Sequence, residues 1–103
     1  MNLFIDSTNF NSITYACSGN RPFTKAYVVD PYRSHETLGK LQQFLKAAKI
    51  AKPSQTIKKI IVNSGPGSYT GTRVGVTHAL ALGFVWNIPV KAIPKEKFTK
   101  LVY

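Results

Sequence analysis

One stretch of the chain, residues 60–76, most constrains how it can fold. It opens with an apolar β-branched run at 60–62, which is typical of a strand. Residues 65–67, Gly-Pro-Gly, do not continue a strand, because both residue types favour turns and proline lacks the N–H that a ladder needs. The stretch therefore predicts a strand at 58–63, a tight Gly-rich loop and a helix at 72–86. That order directs backbone N–H groups and the positive end of a helix dipole into the loop.

The spacing within the loop is compatible with different functions. A Walker A phosphate loop ends in Gly-Lys-Ser/Thr, whereas Gly71 is followed here by Thr72 and Arg73, so that motif is excluded. Gly65, Gly67 and Gly71 have a GxGxxxG spacing like that of some dinucleotide-binding turns, but only about thirty residues follow, too few for the remaining strands of such a domain. A structural turn without a ligand is the other alternative, and the local pattern alone favours it.

The net charge of the chain is strongly positive. Its 103 residues, enough for one domain with a modest core, carry fourteen Lys and Arg against four Asp and Glu, a formal charge of +10. Such a field attracts polyanions. The charges are scattered, however, and no run reaches the five or six like charges of a nucleic-acid arm. Weak attraction to RNA and a generally lysine-rich composition both fit this pattern.

The amino terminus and the cysteine content indicate the cellular compartment of the protein. No stretch approaches the ~20 apolar residues of a membrane span. Residues 1–6 have no basic region before their apolar run, so no secretory signal peptide is predicted. Cys17 is the single cysteine, which excludes an internal disulfide and favours a reducing compartment. We therefore expect a cytoplasmic protein with no membrane association, in which Cys17 is a buried apolar residue.

The first half of the chain predicts three strands and a helix. Strands at 2–6, 13–17 and 23–30 are joined by short turns, as in an antiparallel meander. A helix at 34–49 follows, with Ser34 as its N-cap and apolar residues at helical spacing along one face.

The helix at 72–86 is apolar nearly all round. Gly75, Ala79 and Gly83 are spaced at i, i+4 and i+8 and form a strip that another backbone can approach closely. A helix of this kind should be buried on more than one side, and a small domain covers only one. The pattern therefore predicts a partner against the strip, and Ala79→Leu is expected to weaken association while leaving the monomer folded.

The complete order of elements is predicted as βββαβαβ(α). A short strand at 90–93 and a terminal helix at 95–102 complete it, and Pro53 ends the first helix with no further element before the fourth strand. This order predicts an α/β fold, a single ribonuclease-H-like domain over residues 1–103, with a mixed five-stranded sheet and two main helices.

The Gly-rich stretch also resembles a known family. Residues 65–76, Gly-Pro-Gly-Ser-Tyr-Thr-Gly-Thr-Arg-Val-Gly-Val, are similar without a gap to the signature of the bacterial TsaB family, also called YeaZ. Segments 3–8 and 87–90, and His35 followed by a leucine-rich helix, extend the resemblance over nearly the whole chain. It implies one domain of the actin-like ATPase superfamily, which includes sugar kinases and Hsp70. TsaB proteins normally carry a second such domain, which this chain would lack.

The resemblance implies a function in tRNA modification. The chain would be a non-catalytic scaffold subunit that supports TsaD, with TsaE, in making threonylcarbamoyladenosine (t6A), and TsaD would supply the chemistry. It would need no cofactor, form a homodimer or a heterodimer, and contact tRNA indirectly or weakly. The alternatives are a nucleotide-binding phosphotransferase or peptidase-like enzyme and a basic RNA-binding module.

The candidate site residues fall into three groups. A possible binding loop comprises Gly65, Pro66, Gly67, Ser68, Tyr69, Thr70, Gly71 and Arg73. A partner interface on the helix pair 34–49 and 72–86 comprises Leu38, Leu41, Leu45, Gly75, Val76, Ala79, Leu80 and Gly83. A vestigial phosphate site comprises Asp6, Ser7 and Thr8, at the strand end where kinases of this superfamily organise a metal-bound phosphate, although a simple turn is favoured for Asp6.

The sequence leaves the role of one arginine open, and its histidines do not indicate a catalytic metal site. Arg73 could bind a phosphate or a partner's acid, or it could bond local backbone carbonyls. His35 and His78 are the only histidines, and they lack the HxxxH pairing with which the related TsaD binds its metal, so no metal site is predicted.

Overall fold

A five-stranded mixed sheet with strand order β3-β2-β1-β4-β5 forms the centre of the protein, seen in a computed structural model that describes residues 1–9, 11–30 and 36–102. The strands are β1 (Asn2–Asp6), β2 (Ser12–Cys17), β3 (Phe23–Val28), β4 (Lys59–Asn63) and β5 (Val90–Ile93). β1, β2 and β3 form the predicted antiparallel meander, and β4 and β5 run parallel to β1. The predicted fold class is confirmed.

The helices cover the two faces of the sheet unequally. They are α1 (Glu36–Ala47), α2 (Pro53–Thr56), α3 (Tyr69–Trp86) and α4 (Lys95–Val102). Leu3 and Ile5 of β1 pack in the larger core with α1 and α3, whereas Phe4 between them packs against Phe98 of α4 on the other face. The single turn α2 was not predicted, and the proposed N-cap Ser34 and His35 lie outside the described residues.

α3 begins three residues earlier than the sequence pattern predicts. Ser68 is its N-cap, and the Ser68 hydroxyl accepts a hydrogen bond from the Gly71 N–H at 3.2 Å. Tyr69, Thr70 and Gly71 are therefore helical residues, not loop residues as predicted, and Arg73, grouped with the binding loop, lies in the helix as its pattern indicated. The prediction was wrong here because Gly71 was taken as part of the turn, whereas the cap overrides its weak helix propensity.

The small-residue strip of α3 packs inside the domain. Gly75, Ala79 and Gly83 are all buried. A Cβ on Gly75 would overlap with the Ser7 side chain of the β1 end, and one on Gly83 would overlap with Val90 of β5. The assignment of this strip to a partner interface is thus wrong, because the atoms that approach it closely belong to the β1 end and the start of β5 in the same domain.

Ala79→Leu should therefore reduce stability instead of association. Ala79 is fully buried, so three extra carbon atoms would overpack the core and lower the free energy of unfolding by about 1–3 kcal/mol. Urea denaturation of the variant measures this loss. The matched control is Ala81→Leu, at an exposed site two residues on, which should leave stability nearly unchanged. Equal stabilities of the two variants would contradict this packing.

Candidate functional site

The Gly-rich loop joins β4 to α3 and packs directly on the end of β1. Gly65 has a φ of +98°, a conformation that favours glycine. A Cβ on Gly67 would lie 2.5 Å from Thr8 Cβ and 2.8 Å from the Thr8 carbonyl oxygen. The Ser68 N–H donates to that carbonyl at 2.7 Å. The loop group and the β1-end group, predicted separately, thus form one junction.

The polar side chains of this junction bond to one another. Asp6 Oδ1 accepts hydrogen bonds from the Thr8 N–H at 3.0 Å and from the Thr8 hydroxyl at 2.7 Å. The buried Ser7 hydroxyl donates to the Gly71 carbonyl at 2.6 Å and so holds the first turn of α3. These contacts form the turn favoured for Asp6 and engage the hydroxyls that a phosphate would need.

Asn63, at the end of β4, is a junction residue that sequence reasoning missed. Its side chain is fully buried, and its Oδ1 accepts a hydrogen bond from the Gly65 N–H at 2.9 Å. The Gly65 carbonyl in turn accepts from the Lys95 N–H at 2.8 Å, which ties the loop to α4. The sequence signal that could have identified Asn63 is a polar residue directly after the apolar run of β4.

His78 takes part in a buried polar cluster beneath α1. The Tyr15 hydroxyl lies 2.8 Å from His78 Nε2 and donates to the Thr37 carbonyl at 3.2 Å. With that donor used, the Nε2–H of a neutral imidazole donates to Tyr15. Burial lowers the pKa of His78 to about 4 and raises the pKa of Tyr15. The cluster joins β2, α1 and α3, a role that sequence reasoning did not assign to His78.

The buried neutral His78 should make the fold sensitive to acid. Its folded pKa, about 4, lies below the 6.5 of a free histidine, so the unfolded chain takes up a proton first as the pH falls. Stability should be full above about pH 6.5 and fall by about 2–3 kcal/mol between there and about pH 4. Denaturation as a function of pH measures the loss. In His78→Gln the slope across this window should shrink, and an unchanged slope would contradict the assignment.

Arg73 makes a local contact on the surface of α3. Its Nη1 donates to the Tyr69 hydroxyl at 2.9 Å, and the guanidinium lies 5.3 Å from the centre of that ring. Both residues are exposed. Of the alternatives predicted for Arg73, the structure shows a local hydrogen bond. The acceptor is the side chain of Tyr69 and not a backbone carbonyl.

An apolar surface on α1 and α3 is the most prominent exposed feature. Leu80, Phe84 and Val85 of α3 are 57%, 89% and 73% exposed, and Leu38 of α1 is 52% exposed. Of these four, Leu38 and Val85 border a depression of about 540 Å³, together with Ala81 and the half-buried Trp86. We call Leu38, Leu80, Phe84 and Val85 the α1–α3 surface. A cluster of large apolar side chains of this kind is typical of an interaction site.

The predicted interface residues coincide with this surface only in part. Leu38 and Leu80 belong to it, whereas Leu41 and Leu45 are buried in the core and Val76 is half-buried. Phe84 and Val85 were missed as site residues. The signal was present in the nearly all-round apolar α3, but the face that packs on the sheet was assigned to a partner.

The described residues form neither a metal site nor a membrane-spanning helix. Within residues 1–9, 11–30 and 36–102, no group of three or more His, Cys, Asp or Glu could hold a metal ion. In the same part of the chain, no helix has the length and apolarity needed to cross a membrane.

Comparisons with solved structures show which known proteins share this fold. YeaZ from Pseudomonas aeruginosa superposes with a TM-score of 0.75 at 22% identity, over 90% of this chain and 43% of that chain. A crystal structure of an uncharacterized protein with similarity to peptidase YeaZ from the same organism gives the same score over 42% of its length. The chain therefore has the fold of the matching part of these two proteins.

Comparisons of sequence define the family. Residues 33–96 match the family model described as TsaD, tRNA N6-adenosine threonylcarbamoyltransferase. The tRNA threonylcarbamoyladenosine biosynthesis protein TsaB of Bacillus subtilis (strain 168) is 51% identical over 39 residues, which are 38% of this chain and 17% of that protein. Since the family model spans more than half of the chain, the chain belongs to this family. It spans less than half the length of the relatives it matches.

Proposed function

We propose that this protein is a non-catalytic partner subunit in the formation of t6A in tRNA, and that it binds and supports a TsaD-like protein through the α1–α3 surface. The observation that carries the proposal is the exposure on one helix of Leu80, Phe84 and Val85, which are three of the seven exposed large apolar residues among those that the structure describes. The relative named for t6A biosynthesis supplies the biological process.

The proposed partner presents an apolar helix pair of its own. α1 and α3 lie side by side, and the depression between them offers an apolar groove flanked by Leu38 and Val85. A helix of a second actin-like domain would fit there with its side chains between those of α1 and α3, as in ordinary helix packing. A TsaD-like protein, whose family model this chain matches, is the partner to which we commit, with TsaE as a further member of the complex. A second copy of the chain is the alternative outcome.

The junction at the Gly-rich loop supports a non-catalytic role. Ser7 and Thr8 are buried and donate hydrogen bonds within the chain, and the Ser68 hydroxyl caps α3. These are the groups that a phosphate-binding site at the end of β1 would need as free donors. In this interpretation the loop holds α3 in place, and the reaction belongs to the partner. We place this work in the cytoplasm, where the reduced Cys17 would persist.

A calorimetric titration tests the proposal. The protein is titrated into a TsaD-like protein from the same organism at several temperatures. We expect a saturable association with a negative heat-capacity change, because apolar surface is removed from water. A self-dimer that does not exchange with the TsaD-like protein, or no association at all, would contradict the proposal.

A further inference from the structure

The four acidic residues all lie at one end of the molecule. Asp6 ends β1, and Asp30 follows the end of β3, which runs in the same direction. Glu36 is the first residue of α1, and Glu96 lies in the first turn of α4, directly after the end of β5. All four therefore lie at the carboxyl edge of the parallel strands, and none lies at the opposite edge.

The opposite edge is basic. The β2–β3 turn contributes Arg21, and the connection from α1 to β4 contributes Lys49, Lys52 and Lys58. The Lys58 N–H donates to the Met1 carbonyl, and the Ser18 N–H donates to the Asn2 carbonyl, so both connections meet at the start of β1. We call Arg21, Lys49, Lys52 and Lys58 the basic pole.

Three of the four basic-pole residues surround a depression of about 810 Å³. Arg21, Lys49 and Lys52 line it, together with the uncharged donors Asn20, Gln55 and Thr56. All of these polar side chains are exposed. Among the residues that the structure describes, Arg21, Lys49 and Lys52 have no ion-pair partner.

A structural role explains the neighbouring Lys46 but not the basic pole itself. Lys46, in the last turn of α1, offsets the negative end of the helix dipole, as a basic residue there commonly does. Arg21 is on a turn between two strands, where there is no helix end to stabilise. Unpaired like charges around one depression also repel each other, so they add no stability to the fold by themselves.

From this geometry we infer that the basic pole binds the phosphate backbone of RNA. In naming RNA, the inference rests on the proposed function, which places the protein in a complex that acts on RNA. The concave shape and the spread of cations suit a chain of phosphates, and none of the large exposed apolar residues lines the depression for insertion into a bilayer. Since no aromatic side chain among the described residues lines the depression, recognition would be of the backbone and independent of sequence.

A salt titration with matched variants tests the inference. The probe is a labelled, unmodified tRNA transcript, followed by fluorescence anisotropy between about 50 and about 200 mM KCl. The variant Arg21→Gln/Lys49→Gln/Lys52→Gln should bind at least about tenfold more weakly, and its slope of log K against log salt should be shallower by about 2. The control Lys91→Gln/Lys95→Gln/Lys97→Gln loses the same charge from β5 and α4 and should bind within about threefold of the original protein.

Three results would overturn the inference: equal weakening by both triple variants, no saturable binding by the original protein, or tighter binding to phosphatidylserine vesicles than to the transcript. Failure of the proposed function is recognised separately. The basic-pole variant should keep its affinity for the TsaD-like protein, whereas substitutions in the α1–α3 surface should keep RNA affinity and lose the protein partner.

Discussion

Leu80→Gln combined with Phe84→Gln is expected to abolish binding of the TsaD-like partner while the domain stays folded. Both side chains are mostly exposed, so their replacement removes little of the core. In a complex that covers the α1–α3 surface they would be buried, and the loss of two large apolar residues from an interface costs at least about a hundredfold in affinity. Calorimetric titration of the double variant measures the loss, and its thermal denaturation should match that of the original protein.

Val28→Gln is the matched control for that variant. Val28 is 78% exposed, but it belongs to β3 at the edge of the sheet, away from α1 and α3. Its replacement removes exposed apolar surface of the same kind and should leave partner affinity unchanged. If the control weakened binding as much as the double variant, the docking site would lie elsewhere.

Gly75→Val is expected to destabilise the fold by about 3 kcal/mol, which combines overpacking with a broken buried hydrogen bond. The added Cβ would overlap with the Ser7 side chain, whose hydroxyl bonds the Gly71 carbonyl. Ser7 has no space to move because it is 3% exposed. A loss of this size is a large part of the stability of a small domain. Urea denaturation gives the difference directly.

Gly39→Val is the control for this substitution. Gly39 also lies in a helix, but a Cβ there would meet nothing within 4 Å. Valine has a higher helix propensity than glycine, so stability should stay the same or rise by a few tenths of a kcal/mol. A comparable loss in both variants would mean that helix propensity, and not the contact with Ser7, determines the result.

The elements of the fold were largely predictable because each has a local signal. The apolar run before Gly65 marks β4, and the breaks at Pro22, Pro53 and Pro89 separate most of the others. The start of α3 was not predictable from periodicity, since it depends on the hydroxyl of Ser68 capping a turn that contains Gly71.

The candidate site was less predictable, because the sequence pattern of α3 fits two orientations. In one the small-residue strip faces the sheet, and in the other it faces a partner. A strip of small residues permits close approach of any backbone, and nothing local distinguishes the β1 end from a partner protein. Only the tertiary contacts of Gly75 with Ser7 show that the strip faces inward. Once that is known, Leu80 and Phe84 must face outward, since they lie on the opposite side of the helix. The bond between Tyr15 and His78 likewise joins residues 63 positions apart, beyond the reach of local patterns.

The most direct test of the central claim is the light-scattering mass of the protein alone and mixed with a TsaD-like protein from the same organism. We predict a complex whose mass is that of the partner plus one 11.4 kDa chain for each partner subunit, and its loss in Leu80→Gln/Phe84→Gln. Elution of the original protein at its own mass, separate from the TsaD-like protein, would contradict the account.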